Sequence, residues 1–269
     1  VKVVAINVLN YFLTLDIGTT PACGPIGNKQ ECRGAETAIE LERQQQKLNQ
    51  ALLSLDADII GMMELENSQD ANGNDVNPLA DIVARLNASA GAGTYDYINT
   101  GIIGTDTIRV GLIYKPGKVQ PLGAFQTLDS NDDPRFDTSR NRPSLAQSFE
   151  EVGLDTRFTV VVNHFKSKGS CPAFGDPNAD QGDGQSCWNP VRVAAAAALV
   201  DWVATDPTSS GDADFLLLGD FNSYAMEDPI RTVLAGSDDA AQTGDDFVNL
   251  VLRFGACLLY TSGRCRRIE

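Results

Sequence analysis

Between Tyr95 and Phe165, β-like segments follow one another with no helical period between them. They are Tyr95–Asn99, Ile108–Tyr114, Lys118–Phe125, Ser144–Phe149 and Arg157–Phe165, separated by residues that favour turns. Outside this block the pattern alternates. Val3–Val8, Asp58–Leu65 and Phe215–Leu218 read as short buried strands. From Thr37 to Leu55, the apolar residues Ile39, Leu48, Leu52 and Leu55 recur at helical spacing. Asn77-Pro78 opens a helix to Ala90, Asn189-Pro190 opens a second capped helix to Val203, and Asp228-Pro229 opens a short one. A doubly wound parallel sheet needs a helix between most strands, and the middle of the chain has none. A four-layered α/β sandwich, with two mixed sheets packed face to face and helices outside, satisfies both patterns. No repeat or linker divides the chain, so residues 1–250 are expected to form one domain.

Composition narrows the setting. The formal net charge is −15, which argues against tight binding to duplex through a broad basic face. It leaves phosphodiester chemistry open, because a bound cation can supply positive charge locally. No apolar run reaches the roughly 18 residues of a membrane helix. The first residues, VKVVAINVLNYF, read as a strand, so an upstream leader or domain is expected to have been removed. Cys23/Cys32 and Cys171/Cys187 bracket short Gly-, Pro- and Asp-rich loops, an arrangement that favours two disulfides and an oxidising, extracellular compartment. A zinc site is the competing reading, weakened by the lack of any CxxC and by the single histidine. Cys257 and Cys265 are expected to form no native bridge.

Polar side chains end several of the apolar strands: Asn7, Glu64, His164 and the pair Asp220 and Asn222. Strand ends on a rigid scaffold are where α/β enzymes place their chemistry. Glu64 and Asp220 are hard oxygen donors, Asn7 and Asn222 neutral ones, a set suited to Mg²⁺ with waters and a phosphate. Glu66 competes with Glu64. Period two puts Glu64 on the face of Met62, and this favours Glu64. Taken singly, each of these residues is more simply a structural one.

Their joint order carries more. NVLNYF, RQQQKLNQAL with DADIIGMMELEN, IRVGLIYKP, NRPSLAQSF, FTVVVNHFKSKG and DFLLLGDFNSY follow one another from Val3 to about Asn249. This succession resembles the DNase I-like endonuclease/exonuclease/phosphatase superfamily, and within it the bacterial extracellular nucleases. The resemblance implies a secreted, monomeric, metal-dependent hydrolase of phosphodiester bonds in DNA, and RNA as well, with no base reading. Residue by residue it implies metal binding at Glu64 and Asn7, contact of His164 with the scissile phosphate, and positioning of the attacking water by Asp220 and Asn222. Arg142 and Lys166 match substrate-phosphate contacts; for Arg142 a surface loop charge is the equal alternative, and Lys168 is more simply a solvated charge. The implied ion is Mg²⁺ or Mn²⁺, with Ca²⁺ as a structural ion.

The chain departs from that pattern at its end. The superfamily closes its site with a further Asp-His or Asp-Tyr strand and a terminal Ser-Asp-His-x-Pro segment, and neither occurs here. The segment VLRFGACLLYTSGRCRRIE, residues 251–269, holds four arginines and no clear period, and is expected to be a non-native tail. The expectation is therefore a domain lacking its final strands, less active than its parent. Two other functions share these residues: a sphingomyelinase- or inositol-phosphate-type phosphoesterase on the same scaffold, and a catalytically inactive fragment.

Overall fold

The computed structural model describes residues 1–18 and 21–254, and the backbone of 257–259 and 265–267. The strands are β1 (Val3–Tyr11), β2 (Ile59–Glu66), β3 (Ser68–Gln69), β4 (Asp75–Val76), β5 (Asp96–Tyr97), β6 (Ile108–Tyr114), β7 (Val119–Leu128), β8 (Arg142–Glu151), β9 (Arg157–His164) and β10 (Phe215–Asp220). The helices are α1 (Ala38–Leu55), α2 (Pro78–Ala90), α3 (Asn189–Val203), α4 (Asp228–Ala235) and α5 (Leu250–Phe254). Two further short strands, β11 (Cys257–Leu259) and β12 (Cys265–Arg267), pair with each other.

One sheet has the order β1-β2-β6-β5 and the other β10-β9-β8-β7. Each begins with one parallel pair, β1 with β2 and β10 with β9, and continues antiparallel. Each parallel pair is joined through a helix, α1 or α3, which is the connection that parallel neighbours require. Ile59, Met63, Val110 and Leu112 of the first sheet pack on Leu145, Phe149, Val160 and Val162 of the second. At Gly61 the sheets touch so closely that a Cβ would overlap Leu218 and lie 2.9 Å from Val162. The helix α2 covers the outer face of the first sheet with Leu79, Ile82, Val83 and Leu86, and α1 joins it through Leu52. Ala195, Ala196, Leu199 and Val203 of α3 cover the second. The expected four-layered sandwich is the observed one.

Most element boundaries fall where the residues predict, and the departures have local causes. Thr37 caps α1 by accepting the Glu40 N–H at 3.2 Å, but Ile39 is exposed and takes no part in the buried face. Tyr95 stays outside β5 because its N–H goes to the Asn87 side chain at 2.8 Å. Asn189 does not cap α3. It lies inside the helix and donates to Asp228 at 3.0 Å, and Trp188 takes the cap position in the left-handed conformation without a side-chain bond. The β3–β4 hairpin had no signal in the sequence analysis.

Both expected disulfides are present. The Cα atoms are 5.0 Å apart in Cys23–Cys32 and 5.4 Å apart in Cys171–Cys187, so these four cysteines do not serve a zinc site. The side chains of Cys257 and Cys265 lie outside the described residues. Among the described residues, no helix is long and apolar enough to cross a membrane.

Candidate active site

The two parallel pairs present their C-terminal strand ends at the same edge of the sandwich. On β1, Val4, Ile6 and Val8 pack toward the helices and Val3 toward the second sheet. Alternation then aims Asn7 between the sheets. Beyond Val8 the strand is irregular: Leu9 and Asn10 both have φ 55°, a left-handed turn that carries the Asn10 N–H to Glu64 Oε2 at 3.0 Å.

On β2, Ile60 and Met62 face the helices, Ile59 and Met63 the second sheet. A regular strand would send Glu64 to the helix side with Met62. Glu64 instead has φ 66°, inside a register shift between Met62 and Leu65. Leu65 takes the helix side and the Glu64 carboxylate turns toward Asn7 at 2.9 Å. Period two could not in fact separate the two carboxylates, because Met62, Glu64 and Glu66 share one parity, and the strand does not keep that period at Glu64. Glu66 is fully buried elsewhere, accepting the N–H groups of Leu13 at 2.7 Å and Thr14 at 3.1 Å.

The second sheet is more regular. His164 and Asp220 are register partners across the β9–β10 pair, and the Phe165 N–H donates to the Asp220 carbonyl at 2.9 Å. Gly219 has φ 127°, and a Cβ there would overlap the backbone of Asn163, so no other residue fits. Asn222, at φ 49°, donates its backbone N–H to Asp220 Oδ1 and its side-chain amide to the Phe165 carbonyl, both at 2.9 Å.

These residues meet. The Asn7 amide nitrogen lies 2.9 Å from Glu64 Oε1 and 3.4 Å from Asp220 Oδ2, and His164 Nε2 lies 4.0 Å from Glu64 Oε1. Asn7 Oδ1 accepts the Leu9 N–H at 2.9 Å, which fixes the amide. Asn7 thus shows the carboxylates a donor and not the oxygen expected of it, and it bridges Glu64 and Asp220. His164 is only 5% exposed and its Nδ1 has no partner. Burial, followed by the positive charge of Arg142, holds its pKa below the ordinary histidine value despite Asp220 and Glu64 nearby. The imidazole is therefore neutral at pH 7.

Arg142 sits opposite His164 in the β8–β9 register. Its Nη2 pairs with Asp106 at 2.9 Å, its Nη1 donates to the Arg140 carbonyl at 2.9 Å, and its buried Nε has no partner. Lys166 is oriented differently from the expectation of a phosphate contact. Its ammonium donates to Ser167 O, Ser167 Oγ and Gly169 O, each at 3.1 Å, and so serves its own loop. Among the described residues, no cluster of three His, Cys, Asp or Glu groups forms a metal cage. The cleft offers two carboxylates joined by an amide, a donor set that fits a hard cation keeping most of its waters.

Three supporting residues went unnoticed in the sequence. Asp106 pairs with Arg142 across a loop 36 residues upstream, a juxtaposition without sequence signal. Asn67 fixes that loop, donating to Ile103 O at 2.8 Å and Asp106 O at 2.9 Å; it is the final residue of the MELEN segment, so its position was on view. Asn141, beside Arg142, accepts the Lys166 N–H at 2.9 Å.

Comparison with known proteins gives the following. Residues 32–267 match the Endonuclease/Exonuclease/phosphatase family. The catalytic domain of human nocturnin with bound sulfate is similar at 15% identity and a TM-score of 0.45, covering 73% of this chain and 63% of that one. A Bacteroides thetaiotaomicron endonuclease/exonuclease/phosphatase family protein is similar at 17% and 0.47, covering 71% and 58%. A mannosyl-6-phosphatase of the same organism is similar at 16% and 0.44, covering 71% and 61%. The chain spans about three fifths of the length of these structures. No curated protein matches it.

Proposed function

The chain belongs to the endonuclease/exonuclease/phosphatase family, and on that premise we propose that it is a secreted, divalent-metal-dependent nuclease that cleaves DNA, and RNA as well, without reading sequence. Members of the family are phosphoester hydrolases; substrate, metal and compartment are the proposal. The observation that carries it is the meeting of Asn7, Glu64, His164 and Asp220, drawn from two sheets, at one edge. Two disulfides in loops support the extracellular setting.

In this reading Glu64, with Asp220 across the Asn7 amide, holds Mg²⁺ or Mn²⁺, and the ion when bound neutralises charge on the phosphoryl oxygens. Asn7 keeps the two carboxylates in register with each other. His164, held neutral, donates an N–H to a phosphoryl oxygen as charge builds there. Asp220, fixed through Oδ1 by the Asn222 N–H, orients the attacking water with its other oxygen. Arg142 reaches the substrate phosphate from beside His164. Arg142 and the neutral His164 imidazole are register partners across the β8–β9 pair, and His164 lies next to Glu64 and Asp220, so a phosphate bound here would meet one cation and one N–H donor beside the two carboxylates.

The test is plasmid nicking with Mg²⁺ or Mn²⁺, with and without chelator, beside release of phosphate from small phosphomonoesters and of phosphocholine from sphingomyelin. Chelator-sensitive nicking is expected. Hydrolysis confined to the monoesters or the lipid would remove nucleic acid as substrate; nicking untouched by chelator would remove the metal.

A further inference from the structure

Two cation–ring stacks flank the loop that follows His164, and they are built in opposite senses. In the first, Trp188 is the buried partner, 8% exposed, and its Nε1 donates to Gly169 O and Ser170 O at 3.1 Å each. Arg140 lies 4.5 Å and Lys166 5.2 Å from the centre of its ring. In the second the ring is outside: Tyr224 is 77% exposed, with the Lys168 ammonium 4.4 Å from its centre. Lys168 is itself held at 2.5 Å by Glu227, a carboxylate only 7% exposed.

The second stack is a seat. An exposed tyrosine ordinarily has no fixed direction, but here a buried carboxylate holds a lysine and the lysine underlies the ring. Glu227 also donates its N–H to the Tyr224 carbonyl at 2.9 Å, closing the turn that carries the ring. The ring lies two residues beyond Asn222, whose amide is tied to Phe165 at the start of the same loop. The cations are unusual too. In a chain of net charge −15, Arg140 lies against the Trp188 ring and Lys166 donates only to backbone and hydroxyl oxygens of its own loop, neither paired with a carboxylate among the described residues. A preset aromatic face at one flank of the loop and unneutralised cations at the other match a strand of alternating planar bases and phosphates.

We propose that Tyr224 is the stacking platform for a nucleobase flanking the scissile phosphate, with Lys168 as its positioning residue and Arg140 at a neighbouring phosphate, so that the chain engages unpaired strands in preference to intact duplex. A base inside a duplex has no free face for the ring; an unpaired one does. The inference rests on the nucleic-acid reading of the site, and its test separates the two.

The full chain and its Tyr224→Ala, Tyr224→Phe and Lys168→Met variants are titrated with a single-stranded oligonucleotide carrying 2-aminopurine, whose fluorescence falls on stacking, and with an abasic strand of equal length. The full chain should bind and quench the first. Tyr224→Ala should lose the quenching and bind about tenfold more weakly, Tyr224→Phe should keep both, and Lys168→Met should quench less than the full chain. The abasic strand should not distinguish the full chain from Tyr224→Ala. No binding by the full chain, unchanged affinity in Tyr224→Ala, or an equal loss on the abasic strand would each overturn the platform. Quenched binding without cleavage would sink the nuclease reading and leave the platform standing; cleavage with an unaltered Tyr224→Ala would do the reverse.

Discussion

The two sheets each bring a pair of side chains to the cleft by opposite means. In the second sheet, His164 and Asp220 arrive by continuing the regular β9–β10 pair to its end; the register slip beside His164 lies in β8, between Arg142 and Leu145, and the special backbone of the β10 end is Gly219 and the turn at Asn222. In the first, Asn7 and Glu64 arrive beside breaks: Leu9, Asn10 and Glu64 all have positive φ, and both ladders slip register there. Non-glycine residues in that region cost about 1 kcal/mol or more each and persist only when their surroundings impose them. The surroundings here are one carboxylate, Glu64, which takes the Asn10 N–H on one oxygen and the Asn7 amide on the other. One half of the site is thus held by strand geometry. The other is held by the residue that is also to do the chemistry.

That contrast makes Glu64 the place to break it. Glu64→Gln should lower turnover on the order of 10³-fold and also loosen the 9–10 turn, so activity and local protection should fall together. Asp220→Asn should cost a similar factor in rate while amide exchange of β9 and β10 stays as it was. Single-turnover cleavage beside hydrogen exchange reads both; loss of protection in Asp220→Asn equal to that in Glu64→Gln would erase the distinction. His164→Ala should cost somewhat less, about 10²-fold, the scale of one removed donor to developing charge, with Mg²⁺-induced thermal shifts retained. Loss of those shifts would instead place His164 in metal binding.

How much of this could be read from the residues follows the same division. The Ile108–Tyr114 strand and the Asn77-capped helix were legible because hydrophobic period and cap chemistry are local. His164 and Asp220 were legible as polar ends of apolar runs. The direction of Glu64 was not, since a period assumes the regular backbone that this residue abandons. Nor was the orientation of the Asn7 amide, which is set by Leu9, or the pairing of Arg142 with Asp106, which depends on where a distant loop is pinned. Tyr224 stands two residues past the recognised GDFN segment, but only its exposure and its lysine seat set it apart from a loop tyrosine.

In the regular half, stability should depend on the backbone more than on any carboxylate. Gly219→Ala places a methyl against the Asn163 backbone at a φ that alanine avoids. A cost of about 3 kcal/mol, or a Tm fall of roughly 6–12 °C for a chain of this size, is expected. Thermal unfolding measures it, and a fall below about 2 °C would mean that β9 and β10 separate easily and that the pairing is softer than its register suggests.

The smallest effect is the one that isolates Glu64 from its neighbour. Glu66 lies two residues on, in the same strand, and is a carboxylate of the same kind. Yet it is fully buried and accepts from Leu13 and Thr14, which places it under the loop and not in the cleft. Its charge also supports the buried Arg109 guanidinium. Glu66→Gln keeps the size and one acceptor oxygen but replaces two charge-assisted bonds with neutral ones. The expected cost is about 1–2 kcal/mol, seen as a Tm fall of a few degrees, with the rate per folded molecule unchanged. Glu64→Gln should show the opposite balance, a large loss of rate for a small loss of stability. If Glu66→Gln also lowered the rate by more than about tenfold at temperatures where it is folded, the chemistry could no longer be assigned to the residue at the break in the strand alone. The positive φ of Glu64 would then be a device for burying Glu66, with its approach to Asn7 the by-product.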